Sequence, residues 1–401
     1  MKRIDALWPA LTLALLMSGC ATRTPLQQGP VPSTPSRAAE PEAPVLTPRM
    51  AAEADQLTKM AALQDRLYRV AAPLLINNAE LCKSQARNLL GFTAKNRYSY
   101  PGDYNEAAHV AFGMGERLQV TGVLAGSGAS QAGLRRGDRL VTAGGKPLPA
   151  GPNASTMAGA VFGPLLAAHP SLPMGVERDG NNKQLTIPVT RACGFGIELG
   201  NSDNINSYAD GSRVMITRGM INFTRSDDEL AYLLAKGMAH NMLGHHNSQR
   251  YAGTVGGIID NLVNVNPDQS MLIGSGGVKA MPAEVDAAAD RLAVYLLARA
   301  GYNLDGAASF WKRLSSTYPA SVLNGYVANH PATSARAAAI DRAVAEVEAK
   351  KKDRKALVPD AAMAAAPTAS APTAKSSGSP EKPSPSRKSA VRKTPPPPPA
   401  Q

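Results

Sequence analysis

Hydrophobic spacing changes period near residue 191 of this chain, and that change constrains what it can build. Between about residues 105 and 191, apolar positions fall in short, glycine-punctuated pieces such as Leu118–Leu124 and Lys183–Val189, which is the pattern of strands. From about 192 to 349 they recur at three or four residues over longer stretches, which is the pattern of helices. A strand-rich body followed by a mainly helical one is an α+β chain. Its 401 residues suffice for two cores, while 32 prolines and 35 glycines mark part of it as unpacked.

The helical spans can be bounded. Leu57, Met60, Leu63, Leu67 and Val70 give residues 51–104 a helical entry, and Pro73 leaves open whether it holds one helix or two. Asn206–Thr217 reads as a small hairpin or edge strand ahead of a helix. Ser226-Asp227-Asp228-Glu229 is a capping box, in which the Ser226 hydroxyl accepts an orphan amide and Glu229 reaches back. It should open a helix from Asp227 to about His245, with Leu230, Leu233, Leu234, Met238 and Met242 on its apolar face. Further helices are expected from Ala283 to Gly301, Ala307 to Leu314 and Ser334 to Glu348.

The two ends carry other information. Lys2 and Arg3 precede an apolar run, Ala6–Met17, that is long enough for an export signal and short for a membrane span. It ends in Leu16-Met17-Ser18-Gly19-Cys20, which resembles the bacterial lipobox. That resemblance implies a signal peptide over 1–19 and lipid on Cys20; Ala21 implies anchoring to the outer membrane, facing the periplasm. Residues 20–50 then read as a tether, and 350–401 as a basic, Pro/Ala-rich tail with too few apolar side chains to pack. Part of the formal charge of +12 sits in that tail, which suits contact with anionic lipid or peptidoglycan. Nothing resembles a nucleic-acid module. With Cys20 assigned to lipid, Cys82 and Cys193 remain, and an oxidising compartment favours a disulfide between them over two separately buried thiols.

Val123–Val141, with its small-residue entry, Ala132-Gly133-Leu134 and the Gly137-Asp138 turn, resembles the bacterial PDZ signature. The resemblance implies a small β-domain over 105–191 that takes an extended peptide by strand addition. Phe112-Gly113-Met114-Gly115 is the nearest candidate for its carboxylate-binding loop. A PDZ fold acting only as a spacer is the competing reading.

Gly211–His246, with Ala289-Asp290-Arg291-Leu292 and His330-Pro331, resembles the zinc metalloendopeptidases that include HtpX-like and CAAX prenyl proteases. That resemblance implies a zincin-like domain over 192–349. In the family a His-Glu-x-x-His helix puts two imidazoles on one face, a glutamate from a later helix completes the ligands, and the first Glu activates water. The matching segment here is Lys236-Gly237-Met238-Ala239-His240. Lys236 stands at the first ligand, Gly237 at the base, and His240 alone survives; the third ligand maps to Asp286. An ammonium at Lys236 repels a divalent ion, and Gly237 accepts no proton. His245 and His246 lie about 140 and 240 degrees around a helix from His240, away from its face, unless a bent helix end gathers His240 with His246. Asp290, His330 and Arg336 match a supporting position of the family, and a buried ion-pair frame of Asp290 with Arg336 is the preferred role.

Three functions follow as expectations. The first is a catalytically inactive peptidase fold, without a cofactor, that binds unfolded or extended polypeptides in envelope protein handling. The second is an active zinc endopeptidase with His240 and Asp286 as unconventional ligands. The third is a structural envelope or cell-wall scaffold.

Overall fold

In a computed structural model the described residues are 46–245, 280–321 and 324–360. The expected signal peptide, Cys20, most of the tether, His246 and the far tail lie outside them. Helix α1 (Pro48–Asn77) opens the body, with the Thr47 hydroxyl accepting from the Met50 amide. It runs through Pro73 as a single helix. Its Met60, Leu67, Val70, Ala71, Leu74 and Leu75 share one core with the helices of the second half.

Strands β1 (Ala86–Leu89) and β2 (Phe92–Lys95) follow within the span expected to be helical, and helix α2 (Tyr104–Phe112) opens the span expected to be strand-rich. Both strands have only four residues, too few for alternation to stand out. Then come β3 (Gln119–Val123), α3 (Gly128–Gln131), β4 (Arg139–Ala143), β5 (Lys146–Pro147), α4 (Ala154–Ala168), β6 (Ser171–Arg178) and β7 (Asn181–Pro188). They form an antiparallel sheet of order β2-β3-β4-β6-β7, with β5 paired to β4. This sheet therefore begins upstream of residue 105. Its core gathers Leu118, Val120, Leu140, Met174, Val176 and Ile187 under Phe162 of α4. At the Gly137-Asp138 turn Gly137 takes φ 91°, and the buried Asp138 carboxylate accepts from the Arg135 amide at 2.9 Å and pairs with Arg178 at 2.6 Å.

Strand β8 (Thr190–Cys193) pairs antiparallel with β1, and the expected disulfide between Cys82 and Cys193 is present. It joins the chain just after α1 to the start of the second half. There β9 (Gly196–Gly200), β10 (Ser207–Ala209) and β11 (Arg213–Thr217) form a sheet of order β10-β11-β9. Helix α5 (Arg218–Phe223) leads to α6 (Asp227–Met242), which packs on β10, β11 and α1. Helices α7 (Ala283–Ala300), α8 (Ala307–Thr317), α9 (Gly325–Asn329) and α10 (Ser334–Lys352) complete the helical half. The architecture is the α+β one expected: a β-rich first part and a mainly helical second part. No helix of the described residues is long and apolar enough to cross a membrane.

Candidate metal centre

Three helices and one loop build the site. The Ser226 hydroxyl accepts from the Glu229 amide at 3.2 Å, so α6 starts where the capping box places it, although Glu229 reaches back to the Arg225 amide. One turn apart on α6, Lys236 and His240 both point inward and are buried. Helix α7 supplies Asp286 and Asp290, again one turn apart and buried. His330 follows α9, and Arg336 stands in the first turn of α10, whose N-cap Thr333 accepts from the Arg336 amide.

Asp286 Oδ1 is the hub. Lys236 Nζ lies 2.6 Å from it, His330 Nδ1 2.8 Å and His240 Nε2 3.4 Å. Lys236 Nζ also donates to Asp290 Oδ1 at 2.6 Å, so one ammonium spans both carboxylates. Arg336 closes the other side, with Nε 2.7 Å from Asp290 Oδ2 and 3.1 Å from Asp286 Oδ2. Its Nη1 donates to the carbonyls of His330 and Pro331, which holds the His330 loop against α10. Two carboxylates thus face two cations, and the buried charge cancels.

Protonation follows from this packing. Burial lowers His330 to about 4 and also lowers His240, so both imidazoles are neutral at pH 7. Burial alone would raise the Asp286 carboxyl. Contacts with His240 and His330 and the nearby Lys236 charge instead hold it well below the usual carboxylate range. Burial lowers Lys236, against the opposing pull of Asp290.

His240, Asp286 and His330 each offer one ligand atom, and these atoms lie within 4.8 Å of one another. This buried cluster can hold a metal ion. Two neutral imidazoles and an ionised carboxylate are the donor chemistry that zinc takes. Nδ1 of His240 is buried without a hydrogen-bond partner, and its Nε2 has only the long 3.4 Å contact with Asp286 Oδ1, so this imidazole has a nitrogen to offer an ion. The donors therefore fit zinc. What crowds them is Lys236, which shares the Asp286 oxygen.

Several expectations change here. His330, assigned to the supporting frame, stands among the donors. Lys236, expected to act only by repulsion, pairs with both carboxylates. Asp290 and Arg336 form the ion pair proposed for them, extended by Asp286 and Lys236. His245 was set aside on helical geometry, yet α6 ends at Met242 and Gly244 turns the chain at φ 71°. The His245 ring consequently lies 5.5 Å from that of His240, and burial lowers its pKa to about 4. The alternative pairing of His240 with His246 falls outside the described residues.

Gly237 also has a physical partner that the sequence did not disclose. A Cβ built there would come within 2.6 Å of Val214 Cγ1 on β11, so the position of the family base is closed by the neighbouring strand. In the first half, Phe112–Gly115 forms the end of α2, with the Gly113 amide donating to the His109 carbonyl and Met114 buried. That leaves the Gly113 amide committed within the protein.

The sequence profile of Peptidase family M48 matches residues 184–344, which spans the three-stranded sheet, α6, α7 and the His330 loop. No curated protein matches the chain. Residues 184–344 are a domain of Peptidase family M48, a zinc-metallopeptidase family.

Proposed function

We propose that this domain is a zinc endopeptidase with unconventional ligands, His240, Asp286 and His330, acting on extended polypeptide. One observation carries the reading: three buried donors in ligand-ready protonation converge within 4.8 Å inside a metallopeptidase domain. A bound zinc ion would supply a Lewis acid for the peptide carbonyl and lower the pKa of a coordinated water. The chain's own part begins with binding. Strand β10 is an edge of its sheet and lies beside α6, so an extended peptide can add to it through backbone hydrogen bonds. Asp290 and Arg336 fix Asp286 and the His330 loop in place. Lys236 can keep its ion pair with Asp290 while Asp286 serves the metal.

A second reading is a catalytically inactive fold that binds polypeptides, favoured by a separate observation. Gly237 offers no proton acceptor, and Val214 packs where the base would project. In either reading the antiparallel sheet of the first half, with α3 and α4 at its face, supports a PDZ-type peptide-binding module. The lipobox-like segment supports attachment to the periplasmic face of the outer membrane through Cys20, and the basic tail supports contact with peptidoglycan.

Untagged protein assayed for zinc by elemental analysis and for cleavage of unfolded casein separates the readings. One equivalent of zinc with cleavage, both lost in His240→Ala, is the expected result. Casein bound but not cleaved would favour the inactive fold, and absence of zinc would remove the metal reading.

A further inference from the structure

We propose that the Lys236 ammonium and a divalent cation are alternative occupants of one position, with the lysine standing in for the ion in the metal-free protein. This rests on the metal reading above and adds to it a device that sets when the centre can load.

The argument begins with an oxygen. Asp286 Oδ1 is the carboxylate atom nearest both imidazoles, at 2.8 Å from His330 Nδ1 and 3.4 Å from His240 Nε2, and Lys236 Nζ sits 2.6 Å from it. A metal ligated by that oxygen would lie at about 2 Å from it. The ammonium and the ion would then compete for the same lone pairs at separations where their repulsion is large in a buried site. Charge points the same way. Asp286 and Asp290 are balanced by Lys236 and Arg336, so an added divalent ion meets a cluster already neutral.

A lysine buried to 1% exposure is costly unless paired, and this one has two carboxylates at 2.6 Å and the Trp311 ring at 5.4 Å. Its place is therefore built, not incidental. The exit is built as well. Asp290 alone can keep the ammonium paired after Asp286 is released, so loading requires a side-chain shift and no refolding.

The test measures zinc affinity by isothermal titration calorimetry on full-length, chelator-stripped, untagged protein, with zinc alone as the probe. Lys236→Met removes the ammonium at similar volume. Lys236→Met combined with Asp290→Asn also removes one carboxylate, which keeps the cluster neutral should the single variant fold poorly. Either variant is expected to bind one equivalent at least about tenfold tighter than the unaltered protein. Cobalt substitution should give the visible bands of a low-symmetry site, and His240→Ala in the same background should abolish them. A gain below tenfold in both variants overturns the competition. If that happens while the unaltered protein binds zinc through His240, the metal reading survives. If no protein binds zinc, both fail.

Discussion

Placing an alanine at Gly237 tests how the position of the family base came to be closed. In an open helix interior, Gly→Ala stabilises by about 1 kcal/mol, because the backbone loses less freedom on folding. At Gly237 the added Cβ would lie 2.6 Å from Val214 Cγ1 and 3.1 Å from Cγ2, well inside the 3.5–4.0 Å at which carbon atoms rest. Val214 is fully buried on β11, and its branched side chain has little rotamer freedom, so it cannot swing aside cheaply. Overpacking of this kind costs about 1–3 kcal/mol, which outweighs the helical gain. Gly237→Ala should therefore destabilise by about 1 kcal/mol, a swing of about 2 from an open site. Val214→Ala alone should cost roughly 2 kcal/mol for its lost methyl groups and cavity. Because the pair relieves the clash, the double variant should be more stable than the sum of the singles by at least about 1 kcal/mol. Urea unfolding of all four proteins in chelator, with equal slopes, measures this cycle. An increase in stability for Gly237→Ala alone, with no coupling to Val214, would refute the packing argument.

Other outcomes follow from the same geometry. Rebuilding the family motif with Lys236→His and Gly237→Glu should yield folded, zinc-binding protein only when Val214→Ala is added, as judged by melting temperature and metal content. Replacing Cys82 and Cys193 with serine removes a link spanning 111 residues and should cost about 2–5 kcal/mol in denaturant unfolding. In chelator, stability should fall on acidification. His330 has its folded pKa lowered by burial to about 4, so between about pH 6.5 and 4 the unfolded chain binds a proton that the folded one does not. This contribution is complete above pH 6.5, is lost as pH drops toward 4, and amounts to roughly 3 kcal/mol. A His330→Gln variant should show a shallower decline in the same window. Arg336→Met should destabilise by about 3–5 kcal/mol, since it leaves Asp286 and Asp290 with one cation between them.

Much of the fold could be read where local chemistry is strong. Ser226 and Glu229 mark the start of α6, the change from period two to period 3.6 marks the α+β order, and two cysteines left over in a chain expected to be exported imply their bond. The resemblance to the metalloendopeptidase motifs aligned Lys236, His240 and Asp286. What could not be read depends on distances between segments far apart in the chain. The ammonium of Lys236 looked merely repulsive until two carboxylates on α7 were placed beside it. His330 joins the donors because the Arg336 guanidinium holds its loop carbonyls, a contact without a linear signature. His245 returned to the site because Gly244 reverses the chain, whereas the angular argument assumed that the helix continued. The closure at Gly237 comes from Val214, a strand residue 23 positions upstream whose partner no motif specifies.

The most direct test is a crystal structure of the chelator-stripped protein soaked in zinc, with anomalous scattering recorded above and below the zinc edge. An ion should appear bonded to His240 Nε2, Asp286 Oδ1 and a His330 ring nitrogen, with Lys236 Nζ turned wholly to Asp290. Zinc bound elsewhere, or no anomalous peak with Lys236 still bridging Asp286 and Asp290, would contradict the metal centre.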